Sequence, residues 1–148
     1  MRYVIGCCVL FAACATALCG HKPDKKAQEL KWAKGIVSDF VSAGARQADD
    51  QAVLLLSSDF IKSIKEQKTT PDSYVHSRFF NLTEAKASIT SEEMAPDNDE
   101  AVFRGTLAAE IGEADFTIRV VKEKDSGKWR VNYLVVGRLK KKDEPSKK

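Results

Sequence analysis

The sequence predicts an α+β fold, with N-terminal helices packed on one face of an antiparallel β-sheet. Apolar residues recur at helical spacing in the first half of the chain and at period two in the second. The two hairpins of the second half can also be registered so that their apolar residues share one face. The 148 residues are enough for one domain with a real core.

"KKAQELKWAKGIVSDFVSAGARQ" (Lys25 to Gln47) reads as the first helix. Leu30, Ala33, Val37, Phe40, Val41 and Gly44 form its apolar stripe, which Trp32 and Ile36 widen, while Lys31, Lys34, Ser38 and Arg46 fall elsewhere. "ADDQAVLLLSSDFIKSIKEQ" reads as a second helix capped by Asp49 or Asp50, with Val53, Leu56, Phe60 and Ile64 on one face. Ser57-Ser58-Asp59 offers a point at which it splits in two. Thr70 followed by Pro71 is a helix-entry signal, so "TTPDSYVHSRFFN" predicts a short further helix.

"EAKASITSEEM" starts the period-two region as a strand. "EAVFRGTLAAEI" sets Phe103, Gly105, Leu107, Ala109 and Ile111 on one face, and "ADFTIRVVKEK" does so with Phe116, Ile118 and Val120. "KWRVNYLVVGRL" adds Trp129, Val131, Tyr133 and Val135. A two-residue turn at Gly112-Glu113 pairs Ile111 with Ala114, Leu107 with Ile118 and Gly105 with Val120. A turn centred on Asp125-Ser126 pairs Val120 with Val131, Ile118 with Tyr133 and Phe116 with Val135. Both hairpins then present their apolar residues to one buried face, which the helices must cover.

The first residues fix the compartment. Tyr3 to Ala17 carries no charge, but this run is short of the roughly 20 residues a membrane-spanning helix needs. Arg2 precedes it and small residues crowd its end, the layout of an export signal over residues 1–19, with 20–26 as a linker. "LFAAC" resembles a bacterial lipobox, which would lipidate Cys14 and tether the chain to a membrane. "ATA" (Ala15 to Ala17) offers ordinary signal cleavage instead, leaving a secreted product. Either fate puts the protein in the bacterial cell envelope or periplasm, or outside the cell.

The formal net charge is +3. The tail "RLKKKDEPSKK" holds six basic and two acidic residues, giving +4, and Arg2 adds +1, which leaves −2 for everything between (+3 less +4 and +1). A slightly acidic folded part argues against nucleic acid as a partner. The tail from residue 140 reads as solvated and disordered. All four cysteines fall at or before Cys19, so the domain of residues 27–139 has neither a disulfide nor a cysteine metal site.

Helices followed by an antiparallel meander ending in "GKWRV" and "NYLVVG" resemble the nuclear-transport-factor-two-like superfamily, which includes ketosteroid-isomerase-like and polyketide-cyclase-like proteins. In particular the chain looks like small bacterial envelope lipoproteins of that fold with no known function. The resemblance covers about Lys25 to Leu139. It implies a curved, cone-like sheet wrapping a long helix, a pocket at the open end, and homodimers formed through the sheet. A cystatin-like fold, also one helix against an antiparallel sheet, is the second candidate.

The side chains that could dress such a pocket are Trp32, Tyr74, His76, Trp129 and Tyr133. His76 is the one histidine of the domain, in "YVHSR", and a lone histidine defines no site. "SEEMAPDNDE" has five carboxylates without the spacing or glycine of a calcium loop, and reads as a solvated hairpin loop. "NLT" matches a glycosylation sequon, which has meaning only in a eukaryotic secretory context. Nucleotide-binding fingerprints are missing, and no metal or organic cofactor is expected. None of the expected inward sheet positions is a carboxylate or histidine. The sequence therefore favours a non-enzymatic module binding a small apolar ligand or a partner protein of the envelope. The alternative is a pocket enzyme of the isomerase, dehydratase or cyclase type, with Asp39, Asp59 or His76 as its acid/base group.

Overall fold

The computed structural model describes residues 24–142. The expected export signal, Cys14 and residues 143–148 lie outside the described residues. Four helices precede a five-stranded antiparallel sheet: α1 (Lys25–Ala45), α2 (Asp49–Val53), α3 (Ser58–Glu66), α4 (Pro71–Phe79), β1 (Lys86–Met94), β2 (Glu100–Ala109), β3 (Gly112–Lys122), β4 (Trp129–Val136) and β5 (Lys140–Lys141). The sheet runs β1-β2-β3-β4, and β5 continues the β4 lane along β3. The expected α+β architecture is present.

α1 begins two residues inside the expected linker, where the Asp24 side chain accepts the Lys26 amide. Its expected stripe is buried at Ala33, Val37, Phe40, Val41 and Gly44. The second helical segment does split at Ser57. This residue is 3% exposed and caps α3 by accepting the Phe60 amide. Asp49 and Asp50 are not the cap of α2; Ala48 is, and the two acids occupy the first turn, where the helix dipole favours them. Thr70 caps α4 with Pro71 at its start, as expected.

α1 lies across the sheet and is in contact with β1 to β4. Phe103, Leu107, Ile118, Val120 and Val131 are fully buried beneath the helices, and Phe40 of α1 meets Phe79 of α4 edge-on at 5.9 Å. The helix-facing side of the sheet is thus filled by side chains.

The expected registers are corrected in both hairpins. The β2–β3 turn is Glu110-Ile111, not Gly112-Glu113, so Leu107 pairs with Ala114 and Gly105 with Phe116. The slip is four residues, an even number, and the buried face survives it, except that Ile111 moves into the turn and is exposed. Gly112 matters for another reason. A Cβ there would strike the Lys140 carbonyl oxygen, so glycine is what lets β5 approach β3. Lys140 and Lys141 consequently belong to the sheet and not to the tail expected from residue 140, and Lys140 Nζ also meets Asp115 Oδ2 at 2.8 Å.

The β3–β4 hairpin turns at Asp125-Ser126-Gly127, with Gly127 at φ 64, and pairs Val120 with Val131 as expected. A bulge at Asn132 follows. Beyond it Leu134 and Val136 turn inward, while Tyr133 and Val135, expected inside, project outward at 41% and 42% exposure. The bulge has a tertiary partner. Ser57 Oγ donates to Asn132 Oδ1 at 2.7 Å, the Ser57 amide donates to the Val131 carbonyl, and the Val131 amide donates to the Leu55 carbonyl.

Candidate functional site

Trp32, Gly35, Ile36 and Asp39 follow one another at helical spacing on a single flank of α1. Facing them is the start of β4 with its turn: Gly127, Lys128, Trp129 and Arg130. The two walls enclose an open cleft of about 490 Å³, with Lys31 on its rim. Trp32 is half exposed at its side and Trp129 is buried to 4% exposure.

The Trp129 indole is fixed from beneath. Its Nε1–H donates to Glu29 Oε2 at 3.0 Å, and the other oxygen of Glu29 accepts from Lys122 Nζ at 2.7 Å. Glu29 is 4% exposed, the sole buried carboxylate among the described residues. The hydrogen bond from Lys122, helped by that from Trp129, outweighs the cost of burial and holds the Glu29 carboxyl below its ordinary range. Lys122 Nζ also lies 6.0 Å from the centre of the Trp32 ring. One ion pair thus ties α1, β3 and β4 together under the cleft.

Gly35 has no structural reason to be glycine. It sits in mid-helix, and a Cβ added there would meet nothing within 4 Å. Alanine would stabilise the helix by about 1 kcal/mol relative to glycine. The glycine leaves open the space between Trp32 and Asp39.

The structure brings Trp32 and Trp129 together and adds Asp39. The other expected pocket residues lie elsewhere. Tyr74 Oη donates to the Leu134 carbonyl at 3.2 Å, packs edge-on against Phe60 and carries Arg78 over its ring. His76 Nδ1 is 2.9 Å from Asp49 Oδ2 on the exposed side of α4. Tyr133 stands on the outer face of the sheet, under Arg119. Asp59 borders a separate polar cleft of about 720 Å³ with Asp99, Glu100 and Glu123. In that region Asp99 is pushed above the ordinary carboxylate range by its hydrogen bond with Asp97. Asp39, Asp59 and His76 are therefore not assembled into one site, and no group of acids and histidines among the described residues is arranged to hold a metal ion.

Sequence reasoning missed Glu29, Lys122, Lys128 and Arg130. Glu29 left a signal: it stands four residues before Ala33, on the buried stripe, where a carboxylate demands a partner. The identity of that partner, 93 residues away, left none.

No family model matches this chain, and no curated protein does. Among solved structures it is similar to Rv3472, a function-unknown protein from Mycobacterium tuberculosis, with a TM-score of 0.53 and 17% identity over 78% of this chain and 76% of that one. At that identity the likeness concerns the fold alone.

Proposed function

We propose that this protein is an exported, non-enzymatic binding module whose cleft between α1 and the β3–β4 hairpin takes a small apolar ligand. The observation that carries the reading is Gly35: a helix position kept empty, at a cost to the helix, between an exposed indole and a fixed one. A rigid floor lowers the ordering cost of binding, and the Glu29 hydrogen bond supplies that rigidity at Trp129. Asp39 lines the cleft with no histidine or second carboxylate beside it in the lining, which favours binding over turnover. Glu29 lies under the floor, and its charge is already committed to Lys122.

The order of helices before an antiparallel meander supports a place in the nuclear-transport-factor-two-like superfamily. The pocket at the open end of a cone that the resemblance implies is not the one proposed, because the helix-facing side of the sheet is packed. Export, with Cys14 lipidated or the signal cleaved after the small residues, rests on the sequence of the first 19 residues. No helix among the described residues is long and apolar enough to cross a membrane.

Gly35→Met tests the reading. The new side chain fills the cleft, and methionine is a better helix former than glycine. Binding of a neutral naphthyl probe, read by quenching of Trp32 and Trp129, the two tryptophans of the chain, should be lost while the melting temperature holds or rises. Unchanged binding in a folded Gly35→Met variant refutes the site.

A further inference from the structure

The charges around the cleft are unequal. Lys31, Lys128 and Arg130 border it, against Asp39 alone. Five cations of the domain are paired with acids: Lys34 with Glu92, Arg104 with Glu93, Arg119 with Glu100, Lys122 with Glu29 and Lys140 with Asp115. Among the described residues, Lys31, Lys128 and Arg130 form no ion pair. The Arg130 guanidinium uses one N–H on its neighbour's carbonyl, Nη1 to Trp129 O at 3.1 Å, which steadies it while its remaining donors stay unengaged by protein among the described hydrogen bonds. Asp39 follows Lys31 by eight residues, about 12 Å along the helix axis at 1.5 Å per residue. The lining of the cleft therefore sets three cations against one acid around an apolar wall.

We infer that the ligand is an anionic amphiphile, with an apolar body laid against Trp32, Ile36 and Trp129 and a carboxylate, sulfonate or phosphate head held at Lys31, Lys128 and Arg130. This rests on the cleft being the binding site. A neutral ligand would leave three cations without a counter-charge, and a cationic one would meet repulsion at the mouth. An anion beside partly desolvated indole gains from charge-assisted hydrogen bonds that water screens less than on open surface.

Two fluorescent probes with one skeleton separate the inferences. 1-Anilinonaphthalene-8-sulfonate carries an anion; N-phenyl-1-naphthylamine is its neutral counterpart. Against the purified chain at low salt, the sulfonate probe should bind about tenfold more tightly, the factor that one hydrogen bond to a charged group supplies. Added salt should erode that advantage. Lys31→Glu and Lys128→Glu, both at exposed positions, should each reduce sulfonate binding and spare the neutral probe. A melting curve for each variant establishes that it is folded. Equal affinities for the two probes, or a sulfonate preference indifferent to both substitutions, overturn the anionic inference and leave the cleft standing. If neither probe binds, or if binding survives Gly35→Met, the cleft reading fails and the anionic inference with it.

Discussion

Glu29 is the residue on which the structure makes its sharpest demand. It sits at 4% exposure in the apolar stripe of α1, and two donors saturate it. Glu29→Ala would orphan the Trp129 indole N–H in a buried setting, a loss of about 1–3 kcal/mol. It would also strip Lys122 of its counter-charge. Breaking a fully buried pair costs roughly 3–5 kcal/mol, but the Lys122 side chain is 30% exposed and can turn to water, so the pair falls at or below the low end of that range. The expected destabilisation is therefore about 2–4 kcal/mol for alanine. Glu29→Gln, which can still accept from Trp129, should cost about 1–2 kcal/mol. The pH dependence has a definite sign. The folded carboxyl titrates below its ordinary value of 4.5, so as pH falls the unfolded chain takes up the proton first. The contribution of the carboxylate is complete above about pH 4.5 and is lost as pH drops through the folded value. Urea titrations followed by far-ultraviolet circular dichroism, at pH 7 and at steps below pH 4.5, measure the margin of the wild-type protein over Glu29→Gln. That margin should be full at pH 7 and shrink in acid. A margin under about 0.5 kcal/mol at pH 7, the spread of ordinary surface substitutions, or one unchanged down to pH 3, would refute the assigned role.

The bulge at Asn132 predicts a contrast within the sheet. Phe116→Ala should cost about 3–5 kcal/mol, whereas Tyr133→Ala, on the outer face under Arg119, should cost no more than about 1 kcal/mol. Equal losses in denaturant titrations would place Tyr133 inside after all. For the first residues, mass spectrometry of the native protein should find residues 1 to about 19 removed, or a lipid on Cys14. An intact Met1 with unmodified cysteines would end the export reading.

The sequence alone determined where the helices lie and which face of β2, of β3 and of β4 as far as its bulge is buried. These depend on periodicity, and periodicity is local. A slip of four residues between β2 and β3 leaves every side chain but Ile111 on its face, so the faces were legible even though the pairing was not. The split at Ser57 and the entry at Thr70-Pro71 were legible for the same reason, since capping is a contact across three residues. Tertiary structure decided the rest. The turn at Glu110-Ile111 goes with the docking of β5 on Gly112, and the outward turn of Tyr133 with a bulge that Ser57 meets from 75 residues away. The candidate site is of this second kind. In the sequence Trp32 and Trp129 are two of five candidate pocket side chains, with nothing to set them apart from Tyr74, His76 and Tyr133, because alternation and helical stripe report burial and not neighbours. Only the crossing of α1 over the β3–β4 hairpin set the two indoles beside one cleft and aimed Glu29 at an indole 100 residues along the chain. A sequence pattern records how each segment meets water; which segments meet each other follows from packing the whole chain at once.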